Sequence, residues 1–495
     1  MKLLLSIFSI LLLSYSALIS QNFCSTPQDN AFMQRLIKNK ANWDRTQSKG
    51  SNSRLVPVTF HLVARNDGTG RLSEDLVYNA ICTINERLAS FESEIRLFLD
   101  EIRLIENNTI YSNPQDVSLG SFKDFSSVNV FCVGEIASGS GGTTLGYYQP
   151  GVDIIVMKND NVSNGGWTFE HEVGHYFSLA HTHRGWESTP YDPNIFPEKV
   201  TSVTVTSSQV SGSVQVELMN GSNCGIAGDM ICDTPPDYGR GQSCNCCVLN
   251  TTILDRNCEP IAPIMNNVMS YSNGCADWLF TPQQILAMET DYDSPQRAII
   301  RGSGITSYTP ILAEVEPLFP INLETAEVYD HIDFSWKGVP NAEFYKVYIG
   351  DEVYETNFTR LLIEDLSPNS LVQWRVNAFN RFGSGCVAVQ SQAFWTGDTG
   401  FSAVSDLEFV ESINIYPNPL KRSDQLSITF SSSQGFSGSI KLVDISGKVI
   451  YIQNDVNFAT GFNSYKLPDL ELSGGVYILQ IETKKGSIAE KIIVE

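Results

Sequence analysis

The chain has 495 residues, 42% hydrophobic and 18% charged, a balance that excludes a disordered polymer and suggests about three folded domains. Lys and Arg number 33 against 55 Asp and Glu, and the net charge of −22 argues against nucleic acid as a partner and favours solubility. No run past the N-terminal region reaches the ~18 apolar residues a spanning helix needs, so no transmembrane segment is expected. At the N-terminus, Met1-Lys2 precedes the apolar run Leu3 to Leu13 and small residues up to Ser20. That pattern predicts a secretory signal peptide over residues 1–20. Residues 21–54 read as a pro-region. Between 31 and 54, Arg35, Lys38, Lys40, Arg45, Lys49 and Arg54 face a single acid, Asp44, forming a basic island in an acidic protein. Thr46 to Arg54 is polar and small, the kind of exposed stretch that proteases cut. A solvated linker with no processing is the plain alternative.

From residue 55 the pattern is mixed. Val56 to Val63 and Val152 to Met157 read as strands, and Ser73 to Phe91 has helical periodicity, so an α/β subdomain is expected. The Gly- and Thr-rich stretch Gly139 to Gly146 by itself reads as a simple surface loop.

The densest chemistry lies in His171-Glu172-Val173-Gly174-His175-Tyr176-Phe177-Ser178-Leu179-Ala180-His181. Only 6 histidines occur in the chain, and His171, His175, His181 and His183 are four of them. Residues four apart share a helical face, so His171 and His175 can offer nitrogens to one metal ion. Glu172, one step around, can reach a water without binding the metal. The spacing to His181 is too long for the same face, so the helix must end near Ser178 and the chain turn back. Three histidines leave a fourth zinc position open, the arrangement of a catalytic site. An amphipathic helix with merely polar histidines is the bland alternative. His183 reads as a loop residue. A scheme with Glu187 as third ligand is less economical, since His181 already fits.

Downstream, Asn267-Val268-Met269-Ser270-Tyr271 resembles the Met-turn of metzincin peptidases. Together with Gly228-Asp229-Met230-Ile231-Cys232-Asp233-Thr234-Pro235, Phe280-Thr281-Pro282-Gln283-Gln284 and the opening strand Leu55 to Val63, it makes the stretch from about 55 to 300 similar to pappalysin-type metzincins. The resemblance implies a zinc endopeptidase acting on proteins or peptides, with the Gly139 to Gly146 region as a substrate-facing sheet edge whose backbone pairing would accept many peptide sequences. His171, His175 and His181 would hold zinc, Glu172 would act as general base and Tyr271 as donor to the developing oxyanion, with Met269 beneath the metal. In that family an early Cys-Gly-Thr segment places a thiolate on zinc. Cys24-Ser25-Thr26 is similar, with Ser25 in place of glycine, so Cys24 is either a latency switch or an ordinary cysteine. Some relatives bind calcium near the segment holding Asp229 and Asp233; turn chemistry explains the same residues. The family has glycine at the position of Ser178, where the turn wants a positive φ.

Cysteines total 11, and seven (Cys224, Cys232, Cys244, Cys246, Cys247, Cys258, Cys275) fall between the zinc helix and the end of the Met-turn region. In an exported chain this predicts disulfides, with a structural zinc cluster as the competing reading. Because 11 is odd, at least one cysteine lacks an intrachain partner, and Cys24 is the candidate.

Beyond 315 the chain changes to short alternating strands. Trp336 and Trp374 sit where a fibronectin type III sandwich has its core tryptophans, a resemblance that implies an adhesive or spacer module over 316–398. The last segments, Ile413 to Pro419, Val443 to Ile450, Leu472 to Leu479 and Lys491 to Glu495, are similar to the C-terminal sorting domain of the type IX secretion system. That resemblance implies export across an outer membrane by the type IX machinery. The expected architecture is therefore an α+β metzincin-like catalytic domain (55–305), with a mixed sheet over the zinc helix and a loop-rich lower subdomain, followed by two all-β sandwiches (316–398 and 405–495). The expected function is that of a secreted zinc endopeptidase made as a latent proenzyme. The rival is a zinc-stabilised binding protein.

Overall fold

The computed structural model describes residues 24–43, 53–137, 144–162, 167–243, 247–249, 251–272, 274–364, 366–384, 386, 389–398, 407, 409–421, 424–470, 472–483 and 486–495. The expected signal peptide, most of the Thr46 to Arg54 stretch, most of Gly139 to Gly146, and Cys244 and Cys246 lie outside the described residues. The chain divides into two compact units. The first takes in residues up to Ile321 with Ser335–Leu361 and Gln373–Gln392; the second takes in Asn322–Phe334, Leu362–Val372 and Ala393–Glu495.

The first unit is mixed α and β. Strand β1 (Arg54–Ala64) is an almost unbroken apolar run buried along nearly its whole length, as expected of a strand covered on both faces. It pairs in parallel with β2 (Ile95–Glu106) and with β3 (Val128–Val133). β3 pairs in parallel with β5 (Ile154–Lys158), and the short β4 (Gly146–Gln149) closes the sheet antiparallel to β5. The order is β2-β1-β3-β5-β4, so β4 is an edge. The strands and helix expected from the pattern at Val56–Val63, Val152–Met157 and Ser73–Phe91 are present within a residue or two.

Four helices matter for the site. Helix α1 spans Asn30–Lys40, α2 Glu74–Ser90, α3 Thr168–Tyr176 and α4 Pro282–Asp293. α2 buries Val77, Ala80, Ile81, Ile84 and Leu88, one stripe at three- and four-residue spacing. α4 opens on a capping box formed by Thr281 and Gln284, with Pro282 in the first turn.

α1 is the unexpected element. Where composition suggested a basic, removable pro-region, Phe32, Met33 and Leu36 are buried in the core that also holds Tyr176 and Met269. An isolated helix of this length is marginal in water, so docking is what makes it helical. Arg35 donates to Asp291 (2.6 Å), Tyr148 Oη (2.9 Å) and the Tyr176 carbonyl (2.7 Å). Asn39 also donates to Asp291, at 2.7 Å. Buried Asp291 also accepts from Arg297 Nε at 3.1 Å, on the same oxygen that Arg35 uses, so it remains ion-paired without α1. The basic island is thus partly an anchor.

The expected spacer is strapped to α2 where it belongs to the first unit. Cys82 on α2 forms a disulfide with Cys386. Asp75 accepts from Lys346 at 2.7 Å and from Tyr348 Oη, and Tyr78 packs edge-on against Phe344 and Phe379. The strands Phe344–Ile349, Glu352–Thr356 and Leu371–Phe379 pair antiparallel. Trp336 and Trp374 are both fully buried, as their resemblance implied.

In the second unit, strands Val410–Tyr416, Ser427–Ser432 and Gly461–Lys466 form one antiparallel sheet. Val449–Phe458, Phe436–Asp444, Gly475–Thr483 and Gly486–Val494 form another. Ile428 and Phe430 from the first share a core with Ile440, Leu442, Leu479 and Ile492 from the second, which makes a sandwich. Among the described residues no helix is long and apolar enough to cross a membrane.

Candidate metal centre and active site

Helix α3 carries His171, Glu172 and His175, all buried. It ends where Ser178 adopts φ +68° and Leu179 N–H returns to the Gly174 carbonyl at 2.9 Å. The turn sends His181 back beside the first two histidines, as the spacing required. Ser178 therefore holds a conformation that glycine adopts without strain, and its hydroxyl donates to the Phe177 carbonyl at 2.7 Å. Ser178→Gly is expected to stabilise the fold by about 0.5–1 kcal/mol, because relief of the Cβ clash exceeds the entropy that glycine adds to the unfolded chain. Denaturant unfolding reads this as a higher midpoint; a lower one would show that the hydroxyl contact dominates.

Gly174 has a different reason. A Cβ there would lie 2.5 Å from Met269 Sδ, so the absence of a side chain lets the helix pack closely on Met269. The segment around Met269 also fixes the histidine-bearing chain: Val268 O accepts from His171 Nδ1 at 2.7 Å, and Met269 O accepts from Thr182 N at 3.1 Å. His175 Nδ1 donates to Leu179 O at 2.7 Å. With Nδ1 donating, the Nε2 atoms of both rings carry lone pairs. His171 Nε2 is buried without a hydrogen-bond partner, and His175 Nε2 lies 3.1 Å from His181 Nε2.

Cys24, His171, His175 and His181 each offer one ligand atom, and these atoms lie within 4.8 Å of one another. Four-coordinate zinc with bonds of about 2.0–2.3 Å wants ligand atoms roughly 3.4 Å apart, so the donor set fits it. Burial, and then the neighbouring rings, hold the three imidazoles well below their ordinary pKa, in the neutral form that binds metals. Burial pushes the Glu172 carboxyl up to about 8. Its Oε2 accepts from Thr26 Oγ1 at 3.2 Å and faces Cys24 Sγ at 3.6 Å, while its Oε1 has no hydrogen-bond partner.

Residues 24–28 alternate buried and exposed, so an extended segment aims Cys24, Thr26 and Gln28 inward. Cys24 bridges Gly146 of the edge strand β4, and Tyr148 N donates to Thr26 Oγ1 at 2.8 Å. The Cys24 carbonyl accepts from Tyr271 Oη at 2.7 Å and from Gln209 Nε2 at 3.1 Å. Tyr271 is buried and its hydroxyl pushed well above its ordinary pKa, so it stays a donor. Gln28 reaches His181 at both its backbone N and its Nδ1. Thr26, Gln28 and Gln209 escaped the sequence reading; the period-two pattern Cys24-x-Thr26-x-Gln28 was the available signal.

The remaining residues fall elsewhere. His183 stacks on His181 at 4.8 Å and lies outside the donor cluster. Glu187 is 3.4 Å from His181 Nδ1, beside a ligand rather than among them. Asp229 accepts from Ile231 N and Thr234 Oγ1, an Asx-type turn, while Asp233 accepts from Thr281 Oγ1 (2.6 Å) and Gln283 N (2.8 Å) at the start of α4. Among the described residues neither aspartate joins a cluster of three candidate metal ligands. Cys224–Cys232 and Cys247–Cys275 are disulfides, Cys258 is free and exposed, and Cys24 and Cys132 are free and buried.

Residues 414–495 match the family described as the secretion system C-terminal sorting domain. The chain thus carries a type IX sorting domain, which implies that secretion machinery and makes this a secreted or cell-surface protein. No curated protein matches the chain. Similar solved structures include FN3tt, at 16% identity and TM-score 0.15, covering 17% of this chain and 96% of that one. The fibronectin(III)-like modules of Clostridium thermocellum CbhA align at 13% identity and TM-score 0.15, covering 36% of this chain and 92% of theirs. Titin A168169 aligns at 14% identity and TM-score 0.13, covering 36% and 97%.

Proposed function

We propose that the first unit is a zinc-dependent endopeptidase of the metzincin type, exported in a latent form that residues 24–43 hold closed. One observation carries the reading. Buried, neutral histidine nitrogens converge on one point, with a buried carboxylate beside them whose Oε1 has no hydrogen-bond partner. Zinc held by His171, His175 and His181 supplies a Lewis acid and lowers the pKa of water toward about 7. Glu172 Oε1 takes the proton of the attacking water and returns it to the leaving amine. Tyr271 Oη, now spent on the Cys24 carbonyl, donates to the oxyanion that develops on the substrate. The edge strand β4 holds an extended peptide by backbone pairing.

The same contacts describe latency. Cys24 Sγ takes the fourth donor position, Cys24 O occupies Tyr271, and Thr26 occupies Glu172. Burial and Glu172 push the free thiol up, so it becomes a thiolate only beside a cation. Residues 55–305 form the catalytic domain, and the fibronectin-like module 316–398 braces α2 through Cys82–Cys386 rather than acting as a loose spacer.

Casein cleavage by the processed protein, blocked by a chelator and restored by stoichiometric zinc, is the expected result. Zinc binding with no cleavage of any protein substrate would favour the zinc-stabilised binding protein instead.

A further inference from the structure

Two donors meet one oxygen beside the histidine cluster. The Cys24 carbonyl accepts from Tyr271 Oη at 2.7 Å and from Gln209 Nε2 at 3.1 Å. This oxygen belongs to the residue whose Sγ joins the three histidines, so the two donors converge within one residue's reach of the metal position. A backbone carbonyl only accepts, which sets the Gln209 amide with its NH2 toward Cys24. The amide oxygen is left buried with no hydrogen-bond partner.

The placement is built into the loop. Ser207 Oγ accepts from Gln209 N at 3.1 Å, and Ser207 O accepts from Val210 N at 3.3 Å. Ser207 and Val210 are both buried, so Gln209 stands on a fixed turn. Residues 24–28 lie along this turn as well as along β4: Gln209 O accepts from Gln28 N at 2.8 Å, and Tyr148 N donates to Thr26 Oγ1.

Preorganised donors aimed at one carbonyl oxygen, next to a metal position and a general base, match what a developing oxyanion needs. As water adds to the scissile carbon, the π pair moves onto the carbonyl oxygen and the water proton passes to Glu172. Resting on the endopeptidase reading above, we infer that Gln209 is a catalytic residue, the second donor to the oxyanion beside Tyr271. It transfers no proton; its hydrogen bond strengthens as charge grows on the oxygen. In the latent chain the Cys24 carbonyl occupies the cradle, and after processing the scissile carbonyl of an extended peptide takes it over.

Gln209→Met keeps the length of the side chain and removes the donor. In the processed enzyme it is expected to lower kcat roughly 10–100-fold with KM little changed, somewhat less than a lone oxyanion donor contributes, because zinc shares the charge. The loss should be the same at every pH, since an amide does not titrate. A phosphonamidate peptide places a tetrahedral oxygen where the oxyanion develops, and calorimetry should find its binding weakened by the same factor. Gln209→Glu resembles the parent more closely in shape but offers only acceptors, so it should lose more than Gln209→Met; a merely structural role would reverse that order. Both variants should keep parental zinc content, because Gln209 Nε2 bonds the segment that processing removes. Unchanged kcat in Gln209→Met, a loss carried by KM alone, or unaltered phosphonamidate binding would overturn the inference while the parent's own cleavage keeps the endopeptidase reading standing. A processed, zinc-loaded parent that cleaves no peptide would overturn both.

Discussion

Glu172→Gln is expected to lower peptide hydrolysis by the processed enzyme about 10²–10⁴-fold, the range that a positioned proton-transfer group contributes. The amide has the size of the carboxyl and can still accept from Thr26, so the helix and the three histidines should keep their places. What it lacks is a site that takes a proton from water. Zinc content should therefore equal the parent's, and so should the chelator-competition curve. The fold should not suffer either, because the change removes a buried ionisable group whose carboxyl is already pushed up to about 8 by desolvation. The measurement is kcat/KM on a fluorogenic peptide alongside metal analysis of the same sample. Hydrolysis at the parental rate would remove Glu172 from the proposed chemistry.

Cys24→Ala is expected to raise the activity of the uncleaved chain at least ten-fold, an order-of-magnitude figure that follows from freeing the open position of a three-ligand site. The remaining contacts limit the gain. Thr26 still covers Glu172, Gln28 still contacts His181, and α1 remains anchored through Arg35 and three buried apolar side chains. The variant should thus be leaky rather than fully open, and adding Thr26→Ala should raise activity further. Comparing the uncleaved variants with the processed parent on one substrate gives both numbers. If Cys24→Ala is as latent as the parent, the thiol is not the switch, and latency belongs to the docked helix and the residues beside Cys24.

The geometry of the centre was readable along the chain, because the helix dictates it. Residues four apart share a face, so His171 and His175 had to project together, and the distance to His181 required a turn. The positive φ at Ser178 is that requirement realised. The β1 strand and the α2 helix were equally visible, since an unbroken apolar run and a 3.6-residue period are local signals.

Contacts between distant segments were not. Composition made residues 31–54 a basic island in a removable pro-region, but charge counts say nothing about a buried Asp291 arriving from a helix some 250 positions away. Once that acid and an apolar groove exist, Arg35, Phe32, Met33 and Leu36 have a place to dock and the segment folds. The pairing of Cys82 with Cys386 was hidden for the same reason: connectivity depends on which surfaces meet, and 304 residues separate the two. Glu187 illustrates the division most sharply. Its sequence position made it a spare ligand, whereas the turn after His181 places it beside Nδ1, which Gln28 of the N-terminal segment also faces. Local periodicity and spacing decided which residues could meet a metal, because a helix and its terminating turn are short-range geometry. Tertiary packing decided what stands behind each of those residues, because a hydrogen-bond partner is chosen by proximity in space and the chain order carries no record of it.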